Sequence, residues 1–283
     1  MTGNLFGGNP LVLELVRLAI AEDIGTGDVT TGLVIRPGAQ ASGSILARQS
    51  GIVAGLPVVE MVFSEIDPAI RFEAKVADGQ AVEPDQVLAA VSGPAASLLR
   101  AERTVLNFLM HLSGVATHAS RFARAISGTG IRLLDTRKTT PGNRILEKYA
   151  VAVGGGMNHR MNLAGGVLVK NNHIAVCGGV EQAVGLARAG APVTLKIEIE
   201  VRSVSEAVRA ARAGADMLLL DHMGPSEAAE VRQAVGPAVL LEVSGNMTPE
   251  KAVAYGGTGI DFVSAGSVVY GAVWLDISMY LEL

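Results

Sequence analysis

Residues 194–222 read TLKIEIEVRSVSEAVRAARAGADMLLLDH, and this stretch decides the fold. It holds two short β-rich runs, at 194–200 and 216–221, on either side of an alanine-rich segment with helical spacing. Both runs are continuous in apolar character, which is typical of parallel strands that are buried on both faces. Gly214 stands where a helix would end before the second run. The stretch therefore predicts one strand–helix–strand unit of a parallel sheet.

The same pattern extends in both directions from this unit. Six β-rich runs alternate with helical runs: IRLLD (131–135), GVLVK (166–170), TLKIEIE (194–200), DMLLLD (216–221), AVLLEVS (238–244) and IDFVSAG (260–266). Polar residues lie at or near the ends of the last four runs, at intervals of 21, 21 and 22 residues (Glu200, Asp221, Glu242 and Ser264), which suits a minimal strand–helix repeat. Six consecutive units predict an α/β barrel. An open doubly wound sheet is the alternative, although the segment after the first run lacks the glycine-rich fingerprint of that fold.

The overall composition narrows the class of protein. The chain has 283 residues, of which 49% are hydrophobic and 18% charged, so a globular protein of one large or two smaller domains is expected. Cys177 is the only cysteine, which excludes an intrachain disulfide and favours a reducing cytoplasmic location. No apolar stretch reaches the ~20 residues of a membrane span. No long basic tail suggests nucleic acid. We therefore expect neither a membrane nor a nucleic acid as a partner.

The part of the chain before the repeats has a different pattern. Residues 10–23 predict an amphipathic helix, residues 41–93 predict β-structure, and residues 95–126 predict a long helix in which a break at 113–114 stays open. We therefore divide the chain into a first domain over residues 1–113 and a barrel domain over residues 114–269. The C-terminal residues 270–283 are predicted to return to the first domain.

Basic side chains are concentrated in residues 135–174. The whole chain has a net charge of −4, so this block needs either anionic partners inside the protein or an anionic ligand. The loops at the carboxyl ends of barrel strands build the site in this fold, and several of the block's residues fall there. We expect a ligand with carboxylates and phosphates. The basic residues are Arg137, Lys138, Arg144, Lys148, His159, Arg160, Lys170 and His173.

Three charged residues end successive runs. Lys170 could be a Schiff-base nucleophile, a general acid or an anion clamp, and an ion pair with one of the following acids is the structural alternative. Glu200 and Asp221 could hold Mg²⁺ or orient the cations, and spacing alone does not separate these roles. His173 has both a functional and a structural interpretation.

Small residues end or follow the last two runs. Barrels often bind phosphate through backbone amides on their last two loops, while ordinary turn formation is the alternative here. Gly154, Gly155 and Gly156, just before His159, could expose further amides or could simply end a helix. The pattern as a whole fits a phosphorylated sugar together with an organic polyacid. The small residues are Ser244, Gly245, Asn246, Ser264, Ala265 and Gly266.

Longer motifs resemble the quinolinate phosphoribosyltransferase family. In order, they are RTVLNFLMHLSGVAT (103–117), DTRKTTPGNR (135–144), KYAVAVGGGMNHR (148–160), LVKNNHI (168–174), EIEV (198–201), LLLDH (218–222), LEVSGN (241–246) and DFVSAG (261–266). The resemblance implies an α/β fold of the type II phosphoribosyltransferases, with an N-terminal open-faced α/β sandwich and an incomplete TIM-like α/β barrel. It implies conversion of quinolinate and phosphoribosyl pyrophosphate to nicotinate mononucleotide, CO₂ and pyrophosphate, with Mg²⁺, in NAD biosynthesis.

Matching the motifs residue by residue implies individual roles. The small residues after the last two runs match the loops that bind the 5′-phosphate, and Glu200 and Asp221 match acids at the Mg²⁺ and ribose end. The resemblance also implies a homodimer in which Arg103 reaches the neighbouring subunit's site. Residues implied to be catalytic are Lys138, Lys170, Glu200 and Asp221. Residues implied to line the quinolinate pocket are Arg103, Thr136, Arg137, Lys138, His159, Arg160 and Lys170.

The chain departs from the family pattern at a few positions. Asn171 stands where an acid is common, and His222 stands where an asparagine is common. Three other functions stay open: a paralogue associated with molybdate transport, a Schiff-base aldolase that uses Lys170, and a binding module for a phosphate ligand.

Overall fold

A computed structural model describes residues 9–282 of the chain. Within these residues, no helix combines the length and the apolar character that crossing a membrane requires. The helices are α1 (Pro10–Ile24), α2 (Val29–Val34), α3 (Leu56–Ile66), α4 (Ala95–Ala125), α5 (Arg144–Val153), α6 (Asn171–Cys177), α7 (Val180–Gly190), α8 (Val204–Arg212), α9 (Pro225–Val235), α10 (Pro249–Val253) and α11 (Ser267–Tyr270). The strands are β1 (Gln40–Ala47), β2 (Gly51–Ile52), β3 (Arg71–Ala74), β4 (Ala81–Val82), β5 (Val87–Pro94), β6 (Arg132–Leu134), β7 (Val167–Val169), β8 (Ile197–Val201), β9 (Met217–Asp221), β10 (Leu240–Ser244), β11 (Phe262–Ser264) and β12 (Ile277–Glu282).

The chain folds as two compact units. Unit 1 comprises residues 9–120, 140–155 and 272–282, and unit 2 comprises residues 121–139 and 156–271. Helix α5 and strand β12 therefore belong to the same unit as the N-terminal segments. The domain boundaries drawn from the sequence at 113/114 and 269/270 stay a prediction.

Unit 1 contains an antiparallel sheet with the strand order β12–β1–β5–β3. Helix α4 runs through Ser113 and Gly114 without a break, which answers the question left open by the sequence. Gly114 serves close packing, because a Cβ added there would lie 2.9 Å from the Cα of Trp274 on the returning C-terminal segment. A glycine inside a helix is therefore no proof of a helix end.

Unit 2 contains a six-stranded parallel sheet with the order β6–β11–β10–β9–β8–β7. Strands β7 to β11 follow one another in chain order, and the first strand, β6, joins beside the last. This is the order of a barrel, so the doubly wound alternative is wrong. Within the described residues, β6 and β7 form no ladder with each other, and the barrel is incomplete as predicted.

The strand register sorts the side chains of unit 2 into layers. Met217 pairs with Leu240, and two residues further along Leu219 pairs with Glu242. Because alternate residues of a strand share a face, these pairs point to the same side of the sheet. A buried apolar cluster of Leu134, Met217 and Phe262, with the partly buried Leu240 packed against it, lies beneath the polar layer. The carboxyl ends of the strands are thus the polar end of the barrel interior.

Candidate active site

A cavity of about 390 Å³ opens at the carboxyl ends of the strands of unit 2. Every residue that lines it belongs to unit 2. All but one of the side chains and loops that the sequence assigned to the site are brought together here. They are Thr136, Arg137, Lys138, His159, Arg160, Lys170, Glu200, Asp221, Ser244, Gly245, Asn246, Ser264, Ala265 and Gly266.

Four basic residues that the sequence considered do not line the cavity: Arg103, Arg144, Lys148 and His173. Arg103 is an exposed residue of α4 in unit 1 and is not among the residues that line the cavity. Its predicted role in a neighbouring subunit's site stays a prediction. Arg144 and Lys148 belong to α5, also in unit 1, where Lys148 is buried. The basic block of residues 135–174 is therefore shared between the two units.

The guanidinium of Arg160 is poorly compensated by the protein. Its Nη1 donates to the carbonyl of Gly166 at 3.0 Å, but its buried Nε has no hydrogen-bond partner among the described residues. Partial burial, and then the like charge of Arg137, lower the pKa of Arg160. Two neighbouring cations and an unpaired buried donor favour an anion in the cavity, since unpaired buried donors are costly.

The loop after β6 presents Lys138 to the same cavity. Thr136 shapes this loop, because its Oγ1 accepts the backbone N–H of Lys138 at 3.0 Å. The side chain of Lys138 passes close to Gly266, where an added Cβ would lie 2.7 Å from the Lys138 Cδ. The absence of a side chain at Gly266 therefore makes room for this cation.

Lys170 ends β7 and begins α6. Within residues 9–282 no ion pair joins Lys170 to Glu200 or Asp221, so the structural alternative weighed for it does not hold in this arrangement. The backbone N–H of Lys170 donates to Nδ1 of His173 at 2.9 Å. His173 therefore has a structural contact at the helix start, while the ammonium of Lys170 lines the cavity.

Glu200 and Asp221 lie on the adjacent strands β8 and β9 and fit a hard divalent cation. Asn171 donates from Nδ2 to Glu200 Oε1, while Oε2 of this acid makes no hydrogen bond within the described chain. Arg202 Nε lies 3.4 Å from Asp221 Oδ2. Carboxylate oxygens are the ligands that Mg²⁺ prefers, and the two side chains reach one cavity. The residues present therefore fit the cation that the sequence predicted.

The loops after β10 and β11 offer backbone N–H groups. Gly245 and Asn246 have φ values of +121° and +44°, and their amides make no hydrogen bond to other described residues. After β11, the amide of Ala265 donates to the carbonyl of Leu134 at 3.1 Å. The next amide, that of Gly266, makes no such hydrogen bond within the described residues. Free amides in small-residue loops suit phosphate oxygens.

Two buried acids lie at the cavity, and the sequence did not assign them to the site: Glu242 lines it, and Glu198 lies beside Glu242. Glu198 and Glu242 are 5% and 1% exposed, and their carboxylates lie within 4.8 Å of each other and of His159 Nε2. Burial, and then the negative charge of Glu198, raise the pKa of Glu242 well above its usual range. Glu198 is two residues before Glu200 on the same strand. Because alternate residues of a strand share a face, the sequence could have placed Glu198 on the same face of the sheet as Glu200.

A cavity with cations on its first loops, and with acids and free amides on the later ones, defines an α/β-barrel enzyme for anionic, phosphorylated ligands. Residues 28–113 match the family model described as quinolinate phosphoribosyl transferase, N-terminal domain, and residues 115–280 match the model for its C-terminal domain. The chain belongs to the quinolinate phosphoribosyltransferase family.

Individual relatives agree with this assignment. The chain is 40% identical over 267 residues to a probable nicotinate-nucleotide pyrophosphorylase [carboxylating] of Synechocystis, which covers 93% of this chain and 90% of the relative. It is 38% identical to the human nicotinate-nucleotide pyrophosphorylase [carboxylating], with 97% and 95% covered. Among solved structures, NadC from Streptococcus pyogenes matches with a TM-score of 0.92 at 38% identity, over 95% of each chain. These matches confirm the fold and the family predicted from the sequence.

Proposed function

We propose that the chain is a quinolinate phosphoribosyltransferase, which converts quinolinate and phosphoribosyl pyrophosphate to nicotinate mononucleotide, CO₂ and pyrophosphate in NAD biosynthesis. The observation that carries the proposal is the division of one cavity into two halves. Arg137, Arg160 and Lys170 offer positive charge on one side, which suits a dicarboxylate. Acids and unpaired amides on the loops after β8 to β11 suit a ribose phosphate. The names of the relatives, which are carboxylating nicotinate-nucleotide pyrophosphorylases, support the same reaction.

The transfer step exchanges one bond at the ribose C1 for another. The bond from C1 to the pyrophosphate oxygen breaks, and its electron pair leaves with pyrophosphate, so positive charge builds on the ribose. Glu200 and Asp221 are suited to stabilise that charge. The lone pair of the quinolinate ring nitrogen then forms the new bond to C1. The cations around the dicarboxylate orient this nitrogen and keep it near C1.

Decarboxylation follows from the charge on the ring. After transfer, the nitrogen is a pyridinium cation, which can accept the electron pair left when the carboxylate beside it departs as CO₂. That ring carbon then takes up a proton. Lys138 and Lys170, both placed at the cavity, are the cations proposed to act in catalysis. They stabilise the negative charge of the substrate through both steps.

Mg²⁺ is proposed as the cofactor. Glu200 and Asp221 would hold it, either directly or through water, since their carboxylates supply the oxygen ligands that it requires. When bound, Mg²⁺ supplies positive charge that favours the departure of pyrophosphate.

We further propose a homodimer in which Arg103 of one subunit completes the cavity of the other. The exposed position of Arg103 on α4 is compatible with a role outside its own subunit. The reaction is assigned to the cytoplasm, which the single cysteine, Cys177, supports.

Incubation of the purified chain with both substrates and Mg²⁺ tests the proposal. We expect nicotinate mononucleotide and pyrophosphate to appear together. An aldolase that used Lys170 would instead be inactivated by borohydride in the presence of a carbonyl substrate, and the transferase would not. A binding module would retain a ligand and release no pyrophosphate.

A further inference from the structure

Helix α5 carries a buried acid to which the proposed reaction gives no task. Glu147 is 0% exposed, and both of its carboxylate oxygens are used inside unit 1. Its Oε1 lies 2.9 Å from Nε2 of His111 on α4, and its Oε2 accepts the backbone N–H of Thr140 at 2.9 Å. Burying a charge is costly unless the charge is paired, so a buried carboxylate with two partners requires a reason.

The two contacts keep Glu147 charged. Burial acts to raise its pKa, but the hydrogen bonds from His111 and Thr140 outweigh burial and lower the pKa below its usual range. A carboxylate only accepts hydrogen bonds, so Nε2 of His111 must be a ring nitrogen that carries a proton. The ring of His111 also packs against Trp274, with the ring centroids 5.5 Å apart, which restrains it. Glu147 is therefore held between a restrained ring and the backbone of Thr140.

Thr140 is the residue through which this contact reaches the cavity. It directly follows the loop that presents Arg137 and Lys138 to the cavity. Two hydrogen bonds link residues within the loop: the N–H of Lys138 donates to Thr136 Oγ1 at 3.0 Å, and the N–H of Thr139 donates to the carbonyl of Arg137 at 3.1 Å. Consecutive Cα atoms are about 3.8 Å apart, so a shift of Thr140 passes along the backbone to Lys138 within a short distance.

The position of Glu147 in its helix offers an ordinary structural explanation. It lies in the first turn of α5, where the helix dipole favours a negative charge. On this explanation, loss of the carboxylate weakens the helix and affects both substrates alike. The hydrogen bond to Thr140 goes further, because Thr140 lies before the first residue of α5. A role in the helix alone does not require it.

We propose that Glu147 is a positioning residue, which ties Thr140 to His111 and thereby fixes the loop that presents Arg137 and Lys138 to the carboxylates of the substrate. The inference rests on the proposed function, because it takes quinolinate as the anion that meets these cations. Glu147 is not among the described residues that line the cavity. Its effect runs along the backbone, since Thr140 belongs to unit 1 and the loop before it belongs to unit 2.

Kinetics of two variants at position 147 test the positioning role. We expect Glu147→Ala to raise the KM for quinolinate about tenfold or more and to leave the KM for phosphoribosyl pyrophosphate within about threefold, because the loop that carries the cations is released. Glu147→Gln should keep the KM for quinolinate within about threefold of the unmodified chain. Its amide oxygen can accept from Thr140, and its NH₂ group can donate to the ring of His111 once the ring proton moves to Nδ1.

Asp67→Ala is the matched control for the loss of an acid in unit 1. Asp67 has the same kinds of partner, because Oδ2 accepts from the hydroxyl of Ser97 on α4 at 2.6 Å and Oδ1 accepts the backbone N–H of Ala69 at 2.9 Å. None of these three residues lines the cavity, so both KM values should stay within about twofold.

The kinetic outcomes separate the two explanations. Similar increases of both KM values in Glu147→Ala, or a failure of Glu147→Gln to keep the KM for quinolinate low, would overturn the proposal, since either result indicates a general structural role. Unchanged kinetics in Glu147→Ala, or an equal effect of Asp67→Ala, would overturn it as well.

The tautomer of His111 tests the arrangement without relying on turnover. The chain has five histidines, and ¹H–¹⁵N spectra of their rings, assigned with a His111→Gln variant, report which nitrogen carries the proton. In the neutral ring we expect this proton on Nε2 in the unmodified chain and on Nδ1 in Glu147→Gln. The same tautomer in both proteins would overturn the proposal, even where Glu147→Ala does not fold. The expected spectra without any turnover of quinolinate would instead refute the proposed function, and the role toward its substrate with it.

Discussion

Single residues set the charge balance of the cavity. Arg160 has a lowered pKa beside Arg137, and its Nε lies buried without a partner in the described chain. A protein tolerates such an arrangement when a ligand supplies the missing negative charge. Under the proposed function, a bound dicarboxylate would add negative charge to this cationic half of the cavity.

Removal of a single cation from this half should be costly. We expect Arg137→Ala and Lys170→Ala each to lower kcat/KM with quinolinate by an amount equivalent to about 2–5 kcal/mol, since each would lose a desolvated charge contact. Steady-state kinetics measure the loss. Arg209→Ala, which removes an exposed cation that pairs with Glu181, is the control and should stay near the unmodified value. Near-normal turnover in both site variants would refute the site assignment.

The buried acid Glu242 should make stability depend on pH. Its pKa in the folded chain is raised well above the ordinary value of about 4.5, because burial and the charge of Glu198 disfavour the carboxylate. The folded state thus binds this proton more tightly than the unfolded state, and the associated stability is lost as the pH rises from about 4.5 through the raised value. The Glu242→Gln variant should not show this loss of stability with rising pH.

Urea unfolding at several pH values measures this difference. We expect the free energy of unfolding of the unmodified chain to fall relative to that of Glu242→Gln as the pH rises through this window. Parallel pH profiles for the two proteins would show that Glu242 does not hold its proton in the folded chain.

The residues under the cavity show where sequence reasoning stopped. Glu200 and Asp221 could be assigned because they end their runs, where barrel loops begin. Glu198 lies inside its run, and Glu242 was noted as a polar residue near the end of its run but was given no role. The significance of both depends on how close β8 and β10 lie and on the loop that brings His159 near them. Such distances across strands are set by the tertiary arrangement of the sheet, which the sequence alone does not reveal.

At the scale of elements, the loop after β10 depends on an unusual backbone. Gly245 has a φ of +121°, and a Cβ placed there would lie 2.7 Å from Nδ1 of His222. His222 itself has a φ of +58°, a conformation that asparagine adopts more readily than most residues. The departure from the family pattern at 222 is therefore accommodated by the glycine that faces it.

Gly245→Ala should disturb the phosphate half and spare the polyacid half. We expect the KM for phosphoribosyl pyrophosphate to rise by about tenfold or more while the KM for quinolinate changes little, because the free amides of this loop are displaced. Gly236→Ala is a control for the strain alone, since Gly236 also has a positive φ, of +74°, but has no atoms near its added Cβ. A similar effect of both substitutions would argue against a phosphate role for the loop.

The predicted elements largely agree with the structure, and the exceptions have physical causes. Residues 41–93 were predicted as β-structure throughout, but they contain the helix α3, whose valines are also common in strands. The six runs correspond to β6–β11, because burial on both faces leaves a clear apolar signal. Helix α5 joins unit 1 although it follows the first barrel strand, and local periodicity carries no information about which unit a helix joins. The sequence left a helix break at Gly114 open, but α4 is continuous there, and Gly114 allows close packing.

At the scale of the molecule, the incomplete barrel and the position of Arg103 raise the question of a partner. Within the described chain, β6 and β7 leave the sheet of unit 2 unclosed. The sequence could identify the family through long motifs, and the family resemblance alone suggested that a second subunit contributes Arg103. Neither periodicity nor the fold of one chain contains that information.

A mixing experiment tests whether the active site is shared. Arg103→Ala and Lys170→Ala should each be inactive, and random exchange of subunits should produce mixed dimers with one intact site each. We expect equal mixing to restore about a quarter of the unmodified activity, since half of the dimers are mixed and each regains one of its two sites. Mixing Lys170→Ala with Arg137→Ala is the control, because both residues belong to the same subunit's cavity. Recovery in the control, or none in the test, would contradict the shared site.

The most direct measurement uses quinolinate labelled with ¹³C in the carboxylate next to the ring nitrogen. With phosphoribosyl pyrophosphate and Mg²⁺ present, labelled CO₂, pyrophosphate and nicotinate mononucleotide should form in equal amounts, and Lys170→Ala should suppress all three. Folded protein that releases no labelled CO₂, or that releases pyrophosphate without forming the nucleotide, would contradict the account.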